Sequence, residues 1–442
     1  MNGKRRLKMK QLTRLFIPIC LETLFYMLSG MVDTLMLSAV GDYAVGAVGM
    51  ANSYIGIFII MFSIISSGMV SVMTQNIGAG RPGVAYQARQ LGLLFNAVAG
   101  VLMAVFLFSG AGAILRMVGI ADALYEPALI YLKIVGGGCI LNAVIPILSS
   151  YLRAFGYTKP PLYATIVGNI ANFVMNAVFL FVLHKGVAGV ATATVISKIL
   201  NLCIVLYFSH KLISAKNSTE RIANKTVLGQ IVKVGLPSAC ETALYNVAMM
   251  LVIRFLNQMD AEGLNVTARS YTATISNFSY CVGAALAQAN AIMTGWHIGA
   301  GELEECDRGT KRAAFVGVCV AVCMETAIVL GSGFIMPLFT DNPEMTALVR
   351  KLLAIDIVLE IGRVTNLVFG QALKTSGDAV FPAVIAAVFM FVFAVGGTWL
   401  FGISMGLMAV GAYIGLASDE CVRAVGMVWR WKTGKWRTKK LV

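Results

Sequence analysis

Three side chains that can exchange protons or donate hydrogen bonds share one face of the first long apolar segment: Glu22, Tyr26 and Asp33. Their spacings of four and seven residues match the period of an α-helix. A carboxylate inside such a segment is costly to keep in an apolar medium, so it indicates a group that binds a cation or exchanges a proton. Because hydrocarbon would not accept two carboxylates, this face is predicted to point toward the protein interior or a cleft. A packed, hydrogen-bonded acid without a chemical role is the alternative, above all for Glu22.

A second charged set lies near the other end of the chain, where Asp356, Glu360 and Arg363 are spaced by four and three residues. Glu360 and Arg363 are close enough along a helix to form an ion pair. Two interpretations stay open: an ion pair that docks this helix onto a neighbour, or a set that binds a cation or a proton. Charges on other segments that offer docking partners are Glu241, Asp419, Glu420 and Arg423.

The composition indicates the medium around these charges. Of the 442 residues, 58% are hydrophobic and 13% are charged, and the mean hydropathy is +0.80. Soluble globular chains carry about 25% charged residues, so this chain has too few polar groups to cover a surface in water. That excludes a soluble enzyme, a disordered chain and a nucleic-acid-binding module. The net charge of +14 comes from basic residues at the termini and in short loops. The chain is therefore predicted to be a polytopic membrane protein.

Twelve apolar segments of transmembrane length are predicted, and all are expected to be helical. A spanning helix needs about 20 mostly apolar residues, whereas a transmembrane barrel would show alternating segments of about ten. Arg269 lies near the start of its span, where a long side chain can reach the membrane interface. The nine cysteines and three histidines show no metal-ligand spacing. The spans, numbered 1 to 12, are 15–38, 46–75, 91–113, 127–150, 162–183, 187–209, 231–256, 266–294, 312–336, 348–372, 383–402 and 405–430.

Basic residues are distributed unevenly between the two sides of this twelve-span arrangement. The termini and the loops after even-numbered spans hold most of the 35 lysines and arginines. The loops after odd-numbered spans hold Arg116, Lys185, Arg350 and Lys351. The positive-inside rule therefore predicts a multi-pass protein of the cell (cytoplasmic) membrane with both termini in the cytoplasm. The aromatic and basic tail at 429–437 is predicted to contact lipid headgroups.

The chain is predicted to contain two copies of a six-helix unit. Residues of spans 1 and 7 correspond at an offset of 219, and two later patches correspond at 221. Because six is an even number, both copies enter the membrane from the same side as parallel repeats around a central cleft. The matched sets are Pro18-Glu22-Thr23-Tyr26 with Pro237-Glu241-Thr242-Tyr245, Gly78-Ala79-Gly80 with Gly299-Ala300-Gly301, and Leu152-Arg153-Gly156-Pro161 with Leu373-Lys374-Gly377-Pro382.

The predicted domains follow from this repeat: an N-terminal bundle at 1–215, a cytoplasmic linker at 216–230, a C-terminal bundle at 231–430 and a basic cytoplasmic tail at 431–442. Glu241 and Tyr245, the repeat partners of Glu22 and Tyr26, extend the set of polar residues inside spans to the second half.

Span 1 resembles the first helix of multidrug and toxic compound extrusion (MATE) transporters, whose pattern is a proline, Gln or Glu four residues later, and then Val-Asp-Thr. Here the pattern is Pro18, Glu22 and then Val32-Asp33-Thr34. The resemblance covers essentially the whole chain. It implies export of amphipathic, often cationic, organic compounds in exchange for protons or sodium ions. Other stretches similar to family patterns are Asn76-Ile77-Gly78-Ala79-Gly80, Leu152-Arg153-Ala154-Phe155-Gly156, Gly186-Val187-Ala188-Gly189, Asp419-Glu420-Cys421-Val422-Arg423 and Trp429-Arg430-Trp431.

The same resemblance implies a coupling site in the N-terminal half. In the family, an aspartate of span 1 joins an asparagine, an aspartate and a threonine of spans 5 and 6 around a cation or a proton. The matching residues here are Asp33, Asn172, Asn176 and Thr194. This chain departs from the pattern at Asn176, where many members carry the second carboxylate. One carboxylate with neutral oxygens nearby suits Na⁺, and Asp33 alone suits proton exchange, so the coupling ion stays open between H⁺ and Na⁺.

Two other functions remain alternatives. A flippase for a lipid-linked saccharide would need a cleft rich in arginine and lysine, and Arg363 is one of few basic residues in mid-span. An integral-membrane transferase would need carboxylate or histidine clusters on sizeable polar loops, and the loops here are short. The expected partners are a small organic substrate and membrane lipids, with no nucleic acid, no cofactor beyond the coupling ion, and a monomeric chain.

Overall fold

The structure is a computed structural model that describes residues 2–213, 220–260 and 263–442. The regular structure in these residues is helical. The chain separates into two compact units, Met1–Gly235 and Leu236–Val442, which we call unit 1 and unit 2. The boundary falls inside one helix, α8 (Asn224–Met259), so neither unit ends at a loop.

Unit 1 contains seven complete helices and the start of α8. Three consecutive glycines, 136–138, form the end of α4 and the break before α5. The two helices are bent by 42° relative to each other. Glycine weakens a helix interior, so predicted span 4 becomes a broken helix. The π-helical segment Val178–Val182 follows α6. The helices are α1 (Asn2–Ser38), α2 (Asp42–Gly78), α3 (Pro82–Val118), α4 (Asp122–Gly137), α5 (Cys139–Ala154), α6 (Lys159–Ala177) and α7 (Gly186–Leu212).

Unit 2 contains the rest of α8 and five further helices. The chain after α12 continues through two π-helical segments, Met390–Val395 and Thr398–Ser404, so predicted span 11 is only partly α-helical. The helices are α9 (Leu264–Gly299), α10 (Leu303–Ile335), α11 (Pro343–Ser376), α12 (Val380–Phe389) and α13 (Met408–Lys432).

Helices α11 and α13 cross at Gly362. A Cβ atom at this position would lie 2.7 Å from backbone atoms of Glu420 and Cys421, closer than any side chain tolerates. Glycine therefore permits the close approach of the two backbones. The crossing brings the charged residues of span 10 next to those of span 12.

Eight helices of the described residues are long and apolar enough to cross a membrane, or nine when the bent pair α4–α5 counts as one span. The helices α9, α11 and α13 do not meet this test, although each coincides with a predicted span. Two of them, α11 and α13, carry buried charged side chains, which lower their mean hydropathy. Their polar residues face protein, where ionisable groups inside membrane helices are found.

The predicted linker and the predicted tail differ from the helices and packing of the described residues. Of the expected linker at 216–230, residues 216–219 lie outside the described residues, but 224–230 form the first turns of α8. The tail at 431–442 is not a free basic segment, because Trp431 and Trp436 are each 1% exposed and stack with ring centroids 4.2 Å apart. The two rings lie in the interior of unit 2 rather than among lipid headgroups, while Trp429 is exposed.

Candidate functional site

Three of the four residues predicted to bind the coupling ion lie together between α1 and α6. The Nδ2 atom of Asn176 donates to Oδ1 of Asp33 over 2.8 Å and to Oδ1 of Asn172 over 3.1 Å. Asn172 and Asn176 are buried, and Asp33 is partly buried. The helical spacing of four residues places both asparagines on the face of α6 that meets α1.

The side-chain oxygen of Asn176, Oδ1, is buried and accepts no hydrogen bond from the described residues. Leaving a buried acceptor without a partner costs about 1–3 kcal/mol, so a ligand at this oxygen would be stabilising. Carboxylate and amide oxygens are the atoms that hard cations prefer. The Asp33 site therefore fits either a sodium ion or a proton on the carboxylate.

Thr194 shares no hydrogen bond with these three residues. In the described part of the chain its hydroxyl donates to the carbonyl oxygen of Val190, one turn earlier in α7, over 2.9 Å. Thr194 instead lies beside Tyr131 of α4, which is within electrostatic range of Asp33 and contacts Oδ1 of Asn52 over 3.3 Å. Tyr131 thus stands between the predicted residues, and no spacing in the sequence links it to them.

Lys198 lies near the middle of α7. Its side-chain nitrogen donates to Oδ1 of Asn142 over 2.7 Å and lies within electrostatic range of Asp33. Unit 1 therefore contains a basic group that can act on the Asp33 carboxylate. The sequence pattern alone could not reveal this, because Lys198 and Asn142 come from different helices.

The acids of spans 1 and 7 form equivalent ion pairs. In unit 1, Arg153 Nη2 lies 2.5 Å from Glu22 Oε1. In unit 2, Lys374 Nζ lies 2.8 Å from Glu241 Oε2. The acids Glu22 and Glu241 correspond between the two halves at an offset of 219, and their partners Arg153 and Lys374 correspond at an offset of 221. Tyr26 is 74% exposed, so it does not belong to the packed interior of unit 1.

Unit 2 encloses a cavity of about 490 Å³ lined by side chains of both charges. Tyr245 contributes to its wall, together with two further tyrosines, Tyr280 and Tyr413. Charged lining residues include Glu241, Arg269, Asp356, Arg363, Lys374, Asp419, Glu420 and Arg423. Most of these charges are paired with one another, as the contacts of Arg363 illustrate.

Arg363 of α11 makes ion pairs within its own helix and with α13. It contacts Glu360 one turn earlier, and its Nε atom lies 3.8 Å from Oε1 of Glu420. Asn366 donates to the other oxygen of Glu420 over 3.0 Å. Arg363 thus joins span 10 to span 12 through Glu420, as the docking interpretation predicts, and it contacts one oxygen of Glu360. The other oxygen of Glu360 accepts no hydrogen bond from the described residues, so it is available to bind a proton or a cation.

Asp356 has a different neighbour, which the sequence analysis missed. Glu325 of α10 places a carboxylate oxygen within 4.8 Å of one oxygen each of Asp356 and Glu360. The available signal was an acid in the middle of span 9, the same signal that singled out Asp33. Glu325 was overlooked because no charged residue stands three or four positions from it.

Long apolar helices in two units, with ionisable residues packed among the helices of each, define a polytopic membrane protein. The model of the MatE family matches residues 18–178 and 237–400 of this chain, one stretch in each half. The chain belongs to the MatE family, whose members are transporters.

The relatives support the same assignment. The "Uncharacterized transporter YisQ" of Bacillus subtilis (strain 168) is 32% identical over 428 residues, which are 96% of this chain and 94% of the relative. The crystal structure of MATE in the straight conformation superimposes with a TM-score of 0.87 at 21% identity, covering 97% of both chains. A MOP superfamily transporter from Pyrococcus furiosus, described as having a binding pocket of reverse polarity, gives a TM-score of 0.83 at 20% identity over 97% of this chain and 96% of that one. The predicted all-α fold of twelve transmembrane helices is confirmed.

Proposed function

We propose that this transporter is a secondary active antiporter that exports amphipathic, cationic organic compounds in exchange for H⁺ or Na⁺ by alternating access. The observation that carries the proposal is the Asp33 site. A carboxylate inside a membrane helix is held by the amide donor of Asn176, over 2.8 Å, next to a buried amide oxygen without a partner. A site of this kind is stabilised when a cation or a proton neutralises the carboxylate.

A single negative charge is sufficient to link the two fluxes. Asp33 can be neutralised by the coupling ion or by a cationic substrate, but binding of one removes the charge that attracts the other. Because both ligands compete for one charge, each binds more weakly when the other is already bound. This dependence of one affinity on the other ligand is what coupling requires. The Lys198 ammonium, within electrostatic range of Asp33, lowers the affinity for both cations and thus favours their release.

The charge distribution in unit 2 supports a cationic substrate over a lipid-linked saccharide. A phosphate-binding cleft needs cations that are free to contact the phosphate. Here Arg363 and Arg423 face the carboxylates of Glu360, Asp419 and Glu420, and Lys374 faces Glu241. Arg269, whose guanidinium group contacts the sulfur of Met249 over 3.7 Å, is the exception. In this proposal the protein works as a monomer in the cytoplasmic membrane, with both termini in the cytoplasm.

The test of the proposal is the Asp33→Asn variant in proteoliposomes. We expect gradient-driven movement of a fluorescent organic cation to fall to the level of protein-free vesicles, because the amide cannot bind or release the coupling ion. Imposed H⁺ and Na⁺ gradients, applied separately, identify the ion that drives the wild type. Asp341→Asn is the matched control, since it removes an exposed carboxylate in a loop. A folded Asp33→Asn protein with unchanged dependence on the ion gradient would contradict the proposal.

A further inference from the structure

Three carboxyl groups from two helices meet in the interior of unit 2. Glu325 lies on α10, and Asp356 and Glu360 lie one turn apart on α11. One oxygen of each residue lies within 4.8 Å of the others, and the three residues are 0%, 3% and 0% exposed. Carboxylates this close to one another cannot all stay charged without a compensating positive charge.

Most oxygens of this group accept no hydrogen bond. Neither oxygen of Glu325 has a hydrogen-bond partner of ordinary geometry among the described residues, nor do Oδ2 of Asp356 and Oε2 of Glu360. Ser276 and Ser279 of α9 face Asp356 and Glu325, each close enough to interact with its acid, although neither buried hydroxyl has a hydrogen-bond partner of ordinary geometry among the described residues. Buried polar atoms in native proteins are nearly always satisfied, so four carboxylate oxygens without an ordinary partner in one place indicate a ligand.

The neighbouring charges do not neutralise the carboxylates. The acids Asp419 and Glu420 also lie in this region, which brings the number of carboxylates to five. The cations that face them are Arg363, which contacts Glu360 and Glu420, and Arg423, which contacts Asp419 and Glu420. Arg269 acts on the same region through Tyr413. Five carboxylates against three guanidinium groups leave a surplus of two negative charges.

A path to the carboxylates leads through the cavity of unit 2. Asp356 and Ser276 contribute to its wall, and so do Arg363 and Tyr413. Glu325 and Glu360 are completely buried and do not line the cavity, whereas Asp356 does. A cation that enters the cavity therefore meets Asp356 first, within 4.8 Å of the other two carboxylates.

We propose that Glu325, Asp356 and Glu360, with the hydroxyl oxygens of Ser276 and Ser279, form an exchangeable site for small hard cations in unit 2. The surplus charge is neutralised by two protons, or by one sodium ion and one proton. The all-oxygen set suits hard cations and not zinc or copper, which favour nitrogen and sulfur ligands. Binding at this site does not depend on export; its use as a second coupling site rests on the proposed function.

The test measures cation binding to the purified full-length protein in detergent. Thermal unfolding is followed while NaCl replaces choline chloride at constant ionic strength, and again between pH 6 and pH 9 without Na⁺. We expect Na⁺ to raise the unfolding temperature of the wild type if Na⁺ is the ligand, or rising pH to lower it if protons are, because the surplus charge is then no longer neutralised. Glu325→Gln is expected to weaken the Na⁺ response at least about tenfold, or to flatten the pH response.

Matched variants separate this site from the rest of the protein. The measurements are made in the Asp33→Asn background, which removes the carboxylate of the unit 1 site, so that the remaining response to Na⁺ or to pH reports on the Glu325 group. Asp341→Asn is expected to leave this response unchanged, because it removes an exposed carboxylate in a loop. Glutamine has nearly the volume of glutamate and removes a repelling charge, so we expect Glu325→Gln to unfold at or above the wild-type temperature at pH 9 without Na⁺. If Glu325→Gln does not fold, Ser279→Ala replaces it, with an expected loss of several-fold in Na⁺ affinity or a flattened pH response.

Each outcome decides the inference. In the Asp33→Asn background, responses to Na⁺ and to pH that both persist in the folded variant at 325, or in its replacement at 279, would overturn the site. Cation binding that requires Glu325 in a protein that exports no organic cation would overturn the proposed function and leave the site standing. Ion-coupled export that is unaffected by the loss of cation binding at Glu325 would show that the site is not used for coupling.

Discussion

At the scale of single residues, Asn176 decides how much charge the unit 1 site holds. Its side-chain NH₂ group donates to both Asp33 and Asn172, and its side-chain oxygen accepts no hydrogen bond from the described residues. An amide carries no charge, so Asp33 supplies the only negative charge among these three residues. The site can therefore be neutralised by a single proton or a single sodium ion.

The variant Asn176→Asp is predicted to change the use of the coupling ion. It places a second carboxylate at the contact where Asn176 and Asp33 are now 2.8 Å apart. Two carboxylates at this distance cannot both ionise at low cost, so one retains a proton or the two recruit a cation. We expect a shifted pH dependence of transport or a stronger response to Na⁺, measured in proteoliposomes across pH with and without Na⁺.

Asn169→Asp serves as the control, because it adds a carboxylate to the same helix two turns away, where Asn169 contacts the carbonyl oxygen of Phe25. We expect this control to leave the dependence on ions unchanged. If Asn176→Asp folds normally and gives the wild-type pH and Na⁺ profiles, position 176 does not belong to the coupling site.

The sequence alone predicted part of each site, for a physical reason that is visible in particular residues. Asp33, Asn172 and Asn176 could be grouped because helical spacing and the family resemblance agree on them. Glu325 could not be grouped with Asp356, because helical spacing shows which residues share a face of one helix and not which helices are neighbours. Tyr131 was missed for the same reason.

At the scale of helices, the internal repeat preserves an ion pair. Glu22 of α1 contacts Arg153 of α5, and Glu241 of α8 contacts Lys374 of α11. All four side chains are at most 21% exposed. The residues that recur between the halves are thus partners of each other, which explains why two separate patches recur together. The first pair joins α1 to α5, and the second pair joins α8 to α11.

Breaking one of these pairs is predicted to destabilise its unit. Glu22→Gln leaves Arg153 without its carboxylate in a largely buried position, and we expect a loss of about 1–3 kcal/mol in the free energy of unfolding. The double variant Glu22→Arg with Arg153→Glu is expected to recover at least half of the loss. Thermal unfolding in detergent measures both.

Glu241→Gln is the equivalent change in unit 2, and its loss should be of similar size because the geometry is similar. If the single variants unfold at the wild-type temperature, or if the reversed pair is no more stable than the single variants, the recurring ion pairs do not stabilise the two units.

At the scale of the whole molecule, the residues of the recurring ion pairs follow the internal repeat, whereas the residues proposed to bind ions do not. At the offset of 219 that matches Glu22 with Glu241, Asp33 corresponds to Val252. At the offset of 221 that matches Arg153 with Lys374, Asp356 corresponds to Val135 and Glu360 to Cys139. Asp33, Asp356 and Glu360 therefore each correspond to a neutral residue in the other unit, unlike the recurring position of Glu22 and Glu241. Two similar bundles with unlike sites can respond differently to the same ion, which parallel and identical sites could not do.

The tail supports the predicted topology within unit 2. Arg437 contacts Glu304 over 2.7 Å, Trp431 donates to Asp307 over 2.7 Å, and Arg430 contacts Asp378 over 2.7 Å. These acids lie at the loops after spans 8 and 10, so the C-terminus and two even-numbered loops meet at the same end of the unit. An arrangement with an even number of spans requires this.

Both termini are predicted to lie in the cytoplasm. The termini and the loops after even-numbered spans carry most of the 35 lysines and arginines, and basic loops and termini are seldom translocated across the membrane. A fluorescent protein that matures only in the cytoplasm should fluoresce when fused after Val442, and alkaline phosphatase should be inactive there. Alkaline phosphatase inserted in the loop at Asp341, after span 9, is the matched control and should be active.

The fusion after Val442 needs a flexible linker, because the chain at residue 439 packs against Gly377. A Cβ atom at Gly377 would lie 2.4 Å from the carbonyl oxygen of Lys439. An active phosphatase after Val442 together with an inactive one at Asp341 would reverse the orientation and, with it, the direction of the proposed export.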